Sequence, residues 1–160
     1  MKKIAEQLVS LLKEKGLKIS AAESCTGGLF CKLLTDVPGC SAVLDMSAVT
    51  YANEAKTALL GVSQRILETD GAVSAVCAAS MVRGILRLSD ADIGVAITGI
   101  AGPDGGSAEK PVGTVYIAVG TPGRYWVKKH SFENTNSREQ IRNASALAAF
   151  DMAVRFVHTL

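Results

Sequence analysis

The sequence has little of several features that mark specialised proteins. Aromatic residues make up only 5% of its 160 residues, and the charged residues, 20% of the chain, nearly balance at a formal net charge of +2. Because a general nucleic-acid binder carries a clear basic excess, direct contact with DNA or RNA is not expected. Apolar residues, by contrast, are abundant at 48%, with a mean hydropathy of +0.25. This composition excludes a disordered tail and predicts a folded chain with a large core.

Long apolar runs and clustered metal ligands are also missing. No stretch reaches the roughly 18 apolar residues that a membrane span needs, and the chain start turns amphipathic at once instead of forming a signal-peptide core. We therefore expect a cytoplasmic protein with no membrane partner. No Cys-x-x-Cys pair is present and His130 and His158 lie far from every cysteine, so we expect no metal and reduced thiols. The cysteines are Cys25, Cys31, Cys40 and Cys77.

Helical and strand patterns alternate along the chain. Apolar residues at helical spacing predict an opening helix that ends at Gly16, and the capping-box pattern of Ser137 and Gln140 predicts the start of a closing helix. Further helices are predicted over 29–34, 54–60, 63–69 and 74–88, and strands over 17–22, 42–51, 93–98, 114–119 and 125–132. No repeat or domain linker interrupts this alternation, which predicts one α/β domain over residues 1–160, built as a three-layer α/β/α sandwich.

Two glycine-rich loops follow predicted strands, at 23–28 and 99–113. Open α/β sheets bind ligands beyond the carboxyl ends of their strands. Glycines let backbone N–H groups approach an anion, and a helix start adds partial positive charge, so phosphate or an oxyanion is the expected guest. Neither loop has the Walker A or Gly-x-Gly-x-x-Gly pattern. Each loop taken alone fits a ligand loop and a simple tight turn equally well.

Ser24 is the most interesting hydroxyl, because it lies between a predicted strand and a glycine-rich helix start, as an exposed nucleophile would. It could instead be a helix N-cap. A nucleophile needs a base, and the positions of the two histidines make a Ser-His-Asp triad doubtful. Lys56 is the alternative base, provided that burial or a nearby cation keeps its amine neutral; otherwise it is an exposed helix lysine.

Four other side chains leave alternatives open. Tyr51 precedes Lys56 by five positions rather than the four of the Tyr-x-x-x-Lys dehydrogenase pair, which argues against a nicotinamide oxidoreductase. Cys25 is a rival nucleophile if a helix start lowers its pKa, although it lacks a partner histidine. Arg138 and Arg142, four apart on one helix face, could clamp a phosphate or carboxylate, or could be solvated surface charges.

Three motifs together resemble the CinA C-terminal domain family, in the same order and at similar intervals. They are Ala-Glu-Ser-Cys-Thr-Gly-Gly at 22–28, Thr-Tyr-Ala-Asn-Glu-Ala-Lys at 50–56 and Thr-Gly-Ile-Ala-Gly-Pro-Asp-Gly-Gly at 98–106, with Lys-Pro-Val-Gly-Thr-Val at 110–115 matching as well. The resemblance covers nearly the whole chain. It implies a three-layer α/β/α sandwich with a mixed, mostly parallel sheet.

The family resemblance also implies a function. Members include nicotinamide-nucleotide amidohydrolases, or NMN deamidases, which convert nicotinamide mononucleotide (NMN) to nicotinic acid mononucleotide and ammonia in pyridine nucleotide recycling. Many members carry an additional N-terminal domain, and this chain resembles the stand-alone form usually associated with deamidase activity. The implied small-molecule partner is a pyridine nucleotide, with no cofactor and no metal.

Carried onto matching positions, the resemblance makes Ser24 the nucleophile, Lys56 its base and Tyr51 a hydroxyl that assists proton transfer. Backbone N–H groups near Thr26, Gly27 and Gly28 are the expected oxyanion donors. Arg138 is expected to hold the ribose phosphate, with Arg142 as the less favoured substitute. The full set of expected substrate-binding residues is Cys25, Thr26, Gly27, Gly28, Thr98, Gly99, Gly102, Arg138 and Arg142.

A second hypothesis comes from a different class of protein. The family's competence and damage-inducible name suggests a non-catalytic nucleotide-binding or regulatory module linked to competence or the DNA damage response. Such a module would bind nucleotide tightly and release no ammonia. Under either hypothesis we expect a homo-oligomer, because small apolar α/β domains with exposed hydrophobic patches often self-associate.

Overall fold

A computed structural model describes residues 1–133, 135 and 137–160. Its helices and strands alternate as predicted, with boundaries that differ by a few residues. In chain order the elements are α1 (Lys2–Lys15), β1 (Ile19–Glu23), α2 (Leu29–Thr35), a short 3-10 helix (Cys40–Ala42), β2 (Leu44–Val49), α3 (Asn53–Leu60), α4 (Gln64–Thr69), α5 (Ala75–Leu88), β3 (Ile93–Gly99), β4 (Thr114–Thr121), β5 (Arg124–Ser131) and α6 (Arg138–Val157).

The strands of the described residues form one five-stranded sheet in the order β2-β1-β3-β4-β5. Strand β1 pairs in parallel with both β2 and β3, whereas β4 runs antiparallel to both β3 and β5. Four strands therefore share one direction and β4 opposes them, which confirms the predicted mixed, mostly parallel sheet. Glu23, the last residue of β1, pairs with Val49 of β2 and Ile97 of β3, so these three strands end at one edge.

Two apolar clusters pack against opposite faces of the sheet and confirm the three layers. Side chains of a strand alternate between faces, so Ala21 joins the cluster under α1, α2 and α6, while its neighbour Ala22 joins the cluster under α3 and α5. The small α4 packs against α5 on this second face. In the described part of the chain, no helix has both the length and the apolarity needed to cross a bilayer.

The predicted strand at 42–51 is shorter in the structure, where β2 spans Leu44–Val49. The residues before it instead form a 3-10 turn, because Val43 donates its N–H to the carbonyl of Cys40 after the left-handed residue Gly39. The chain after β2 leaves the sheet at Thr50 and Tyr51 before α3 begins. That departure places their carbonyl groups at the edge where β1 ends.

Gly84 sets the distance between α5 and α3. A Cβ atom built there would lie 2.6 Å from the Cβ and 2.7 Å from the Cα of Leu60, the last residue of α3, and closer still to its carbonyl oxygen. Since two of these atoms belong to backbone, no side-chain rotation could relieve the overlap. The approach of the two helices therefore requires glycine at this position.

We expect Gly84→Ala to destabilise the protein by about 2 kcal/mol, because overpacking against backbone outweighs the roughly 1 kcal/mol that alanine gains over glycine in a helix. Urea unfolding followed by circular dichroism measures the change. Gly123→Ala is the matched control, since a Cβ atom there meets nothing within 4 Å. Equal stability of the two variants would contradict this account of the helix contact.

Candidate active site

Ser24 follows directly after β1, which lies between β2 and β3, at a point where three chain segments meet. Its backbone N–H donates to the carbonyl of Ile97 in β3 at 2.9 Å, and the N–H of Thr50 donates to the carbonyl of Glu23 at 2.8 Å. The serine is therefore held by backbone bonds that continue the sheet ladder by one step. The segment after β2 and the segment after β3 lie on either side of it.

Lys56 lies on the second turn of α3 and points back toward Ser24. Its side chain is only 1% exposed. The Nζ atom lies 3.1 Å from the Oγ of Ser24, 2.8 Å from the carbonyl oxygen of Thr50 and 3.2 Å from that of Tyr51. The structure thus brings together the predicted nucleophile and the predicted base, and the exposed-lysine alternative is wrong.

The surroundings of Lys56 favour its neutral form. Burial lowers the pKa of the amine below its ordinary value of 10.5, and the nearby thiols of Cys77 and Cys25 oppose that shift only in part. A neutral amine has two N–H groups and one lone pair. The carbonyl groups of Thr50 and Tyr51 can accept both N–H groups, which leaves the lone pair to accept the Ser24 hydroxyl proton.

Cys25, the rival nucleophile, is a buried thiol. It is 4% exposed, and burial raises its pKa to about 12. The lowered pKa that a helix start could have given is therefore not found, because removal from water outweighs the favourable backbone N–H contact. At neutral pH the sulfur stays protonated and is a poor nucleophile.

In the loop from Ser24 to Gly28, two of the backbone N–H groups are already hydrogen bonded within the protein. The N–H of Gly27 donates to the carbonyl of Ser24, and the N–H of Gly28 donates to the Glu23 carboxylate, each at 3.0 Å. These two expected oxyanion donors are thus engaged. The N–H groups of Cys25 and Thr26 have no backbone or side-chain oxygen acceptor among the described residues, so they are the donors this loop can offer.

Helix α2 begins with Gly28 as its N-cap, so Ser24 is not the cap. The helix start instead receives the carboxylate of Glu23, whose Oε2 accepts from Gly28 and Phe30 and whose Oε1 accepts from Cys31, at 2.9–3.1 Å. Of the N–H groups expected to face a phosphate or an oxyanion, those of Gly28, Phe30 and Cys31 at this helix start are engaged by the chain's own carboxylate. Sequence reasoning missed Glu23; its signal was a carboxylate at the end of a strand whose other residues are uncharged.

Tyr51 presents its hydroxyl to Arg138 rather than to the serine–lysine pair. The side chain is 58% exposed, and its hydroxyl oxygen accepts from Nη2 of Arg138 at 2.7 Å. The same guanidinium donates from Nη1 to the carbonyl of Gly102 at 2.6 Å. Within the described residues, the hydroxyl makes no hydrogen bond to Ser24 or Lys56. Tyr51 reaches the lysine through its backbone carbonyl instead.

Arg142 lies one turn after Arg138 on α6 and contacts a different wall of the site. Its Nη2 donates to the carbonyl of Thr26 at 2.7 Å and lies over Gly27. The two arginines thus hold opposite loops, Arg138 the one containing Gly102 and Arg142 the one containing Ser24. Neither is merely a solvated surface charge.

Thr98 and Gly99, two of the residues expected to bind substrate, end β3, and Gly102 lies in the loop that follows. The Thr98 hydroxyl is already engaged, because it donates to the carbonyl of Ala72 at 2.8 Å. A Cβ atom on Gly99 would meet Val115 Cγ2 at 2.6 Å, and one on Gly102 would meet Val112 Cγ1 at the same distance. The glycines are therefore explained by close packing of the loop.

Neither histidine lies at the serine–lysine pair. His130 stacks against Phe132, 5.7 Å between ring centroids, on β5 at the edge of the sheet, and His158 is the C-cap of α6. All four cysteines are free thiols. Over residues 1–133, 135 and 137–160, no three His, Cys, Asp or Glu side chains come together as a metal site would require.

Fold and site together define an α/β protein with a buried serine–lysine pair at the carboxyl edge of its sheet. The family model of the CinA C-terminal domain matches residues 1–157. The chain belongs to the CinA C-terminal domain family, as its motifs predicted.

Curated relatives are about half identical to this chain over the region that aligns with it. The CinA-like protein of Syntrophotalea carbinolica is 46% identical over 157 residues, which are 98% of this chain and 38% of that protein. The CinA-like protein of Geobacter sulfurreducens is 51% identical over 141 residues, 88% of this chain and 34% of that protein. The chain thus spans little more than a third of the length of the curated relatives it matches.

Solved structures agree closely with the fold. The competence/damage inducible protein CihA from Agrobacterium tumefaciens superposes with a TM-score of 0.94 at 42% identity, covering 96% of this chain and 93% of that one. The competence damage-inducible protein A from Klebsiella pneumoniae subsp. pneumoniae has the same TM-score at 31% identity and covers 98% of this chain and 96% of its own. The α/β sandwich is therefore the fold of the family.

Burial of Lys56 predicts a pH-dependent contribution to stability. Between its lowered pKa and the ordinary value of 10.5, the unfolded chain binds a proton at this lysine that the folded chain does not. Stability must therefore rise with pH across that window. Below the window the lysine is charged in both states, and the cost of burying the charge is fully present.

Lys56→Met removes this titration, so the stability of wild type relative to the variant should increase as pH rises toward 10.5. Urea unfolding of both proteins between neutral pH and that limit measures the difference. Lys129→Met, on the exposed part of β5, corrects for the loss of one positive charge. Parallel stability curves for wild type and Lys56→Met would contradict a lowered pKa.

Proposed function

We propose that the chain is an amidohydrolase that converts nicotinamide mononucleotide to nicotinic acid mononucleotide and ammonia. One observation carries the proposal: the Nζ of the fully buried Lys56 lies 3.1 Å from the Oγ of Ser24. A serine nucleophile requires a base within hydrogen-bond reach, and a lysine can be that base only when its amine is neutral. Burial, which lowers the pKa of the Lys56 amine, favours that condition.

The proposed reaction proceeds by acyl transfer through Ser24. Its Oγ attacks the carboxamide carbon while the lone pair of Lys56 takes the hydroxyl proton. The protonated lysine then gives this proton to the departing nitrogen, so ammonia leaves and an acyl-enzyme ester remains. Water repeats the sequence: Lys56 accepts one of its protons and returns it to Ser24, and the product leaves as the carboxylic acid, which ionises by losing its proton to solvent.

Charge that develops on the carbonyl oxygen needs donors close to Ser24. The N–H groups of Cys25 and Thr26 are suited to this role, because the residue after a nucleophile commonly supplies one of the two donors. Each such donor contributes about 3 kcal/mol to transition-state stabilisation in comparable enzymes. Tyr51 is proposed to assist indirectly, through the carbonyl that orients Lys56 and the hydroxyl that contacts Arg138.

The substrate phosphate is assigned to the two arginines of α6. Arg138 and Arg142 project over opposite walls of the site, and each guanidinium has N–H donors beyond those already engaged. Since Glu23 fills the start of α2, these side chains are the cationic groups that the site offers to an anion. Arg138 remains the favoured anchor, because it contacts both Tyr51 and the Gly102 loop.

Removal of either member of the pair should abolish turnover. We expect Ser24→Ala to lower the rate of ammonia release by about 10⁴-fold or more. Lys56→Met should lower it by about 10²- to 10⁴-fold, the usual worth of general acid–base catalysis. Ammonia release from nicotinamide mononucleotide by the purified protein measures both.

Ser10→Ala, on the exposed face of α1, is the matched control and should retain wild-type turnover. The thiol of Cys25 is still present in Ser24→Ala. Activity that survives in that variant would therefore refute Ser24 as the nucleophile and return attention to the cysteine.

The phosphate anchor can be tested by changing protein and substrate together. We expect Arg138→Ala to raise the KM for nicotinamide mononucleotide by about 10- to 100-fold, the worth of one charge-assisted hydrogen bond. Nicotinamide riboside lacks the phosphate, so the same substitution should change its KM much less. Arg155→Ala, at the far end of α6, is the control. An equal rise in KM for both substrates would show that Arg138 does not bind the phosphate.

The second candidate function is a non-catalytic nucleotide-binding or regulatory module. The names of the Agrobacterium and Klebsiella proteins, which refer to competence and damage, suggest it. It predicts calorimetric binding of nicotinamide mononucleotide without ammonia release. The relatives' additional length leaves room for activities that belong to other parts of those proteins.

A further inference from the structure

Glu23 is the residue directly before the proposed nucleophile, and its side chain is 0% exposed. A buried carboxylate is costly unless hydrogen bonds satisfy it. The mechanism above gives this side chain no role, and the family motif assigns none. Its position at the junction of strand, nucleophile and helix calls for an explanation.

The pleat of β1 sends Glu23 and Ser24 to opposite faces of the sheet. Ala21 belongs to the cluster under α2 and α6, so Glu23, two residues later, points to the same face and reaches the start of α2. Ser24 points the other way and meets Lys56 on α3. The two neighbouring side chains therefore connect the end of one strand to two different helices.

The Glu23 carboxylate binds the C-terminal end of the nucleophile loop, residues 24–28. It accepts N–H groups of Gly28, the last residue of the loop, and of Phe30 and Cys31 in α2, while the loop begins at the residue that follows Glu23 itself. Two further backbone bonds, from Gly27 to Ser24 and from Leu29 to Thr26, tighten the turn. Both ends of the loop are thus fixed to one side chain.

The charge of Glu23 is balanced by backbone donors alone. None of the ion pairs formed by the described residues includes it. Charge-assisted bonds to a helix start stabilise a carboxylate well, and they also exclude a competing anion from the same amides. A glutamine would keep the size of the side chain but turn an N–H₂ group toward amides that can only donate.

We propose that Glu23 is a positioning residue that holds the nucleophile loop so that Ser24 Oγ faces Lys56 and the N–H groups of Cys25 and Thr26 face the substrate. The inference rests on the proposed function in assigning Ser24 as the nucleophile. It goes beyond that function in making the reactivity of Ser24 depend on a carboxylate that never touches the substrate.

The test compares Glu23→Gln, Glu23→Asp and wild type in two assays. The first is the rate at which a fluorophosphonate probe labels Ser24, followed by intact mass, with Ser24→Ala defining the background. The second is the kcat and KM for nicotinamide mononucleotide. Circular dichroism and thermal melts identify any variant that fails to fold. Glu54→Gln, an exposed carboxylate in the first turn of α3, is the matched control.

We expect Glu23→Gln to lose about 10²-fold in both labelling rate and kcat, as a displacement of about 1 Å can cost, with little change in KM. Glu23→Asp keeps the charge on a shorter side chain and should recover part of both. A merely structural glutamate would lower the melting temperature without this split between kcat and KM.

Each other outcome has a distinct meaning. Labelling of folded Glu23→Gln at the wild-type rate would overturn the positioning role, and if that variant does not fold, the same result for Glu23→Asp would do so. A wild-type Ser24 that is labelled in a Glu23-dependent manner, without ammonia release, would support the positioning role while the proposed function fails. A wild-type protein in which Ser24 is not labelled and no ammonia is released would overturn both.

Discussion

The burial of one amine is the constraint on which the rest of the site depends. Lys56 is among the largest fully buried side chains of the protein, although it is a lysine. Its Nζ atom can be removed from water because the carbonyl groups of the two residues just after β2 accept hydrogen bonds from its N–H groups. Those carbonyl groups are free because the chain leaves the sheet there. The burial of Lys56 beside Ser24 therefore depends on three features: the early end of β2, the approach of α3 to α5 at Gly84 and the position of Ser24.

The layered fold follows from patterns that the sequence displays openly. Nearly continuous apolar runs predicted β3 and β4, and glycines predicted where α1 and α3 end, because these signals are local and the residues act through their own backbone. The region before β2 was harder, since a 3-10 turn and a strand share its apolar composition. There the backbone hydrogen bonds of Gly39 and Cys40, which no periodicity reveals, decided the outcome.

The identities of the site residues could be predicted from sequence motifs. Their contact partners could not, because those depend on residues far apart in the chain. Ser24 and Lys56 are 32 positions apart, and a helix lysine shows no sign in sequence of being buried. Glu23 was overlooked because a carboxylate beside a glycine-rich turn usually suggests solvent. The hydroxyl of Tyr51 was expected near the reacting pair, yet it accepts a hydrogen bond from Arg138, 87 residues away in the sequence. Such partners are set by how α6 crosses the sheet edge.

Arg138 ties together two segments that otherwise belong to different connections of the fold, through the Tyr51 hydroxyl and the Gly102 carbonyl. A charged side chain that already spans a cleft is pre-oriented, so little rotamer freedom remains for an arriving anion to remove. Because one guanidinium makes both contacts, its loss would release the Tyr51 segment and the Gly102 loop at the same time.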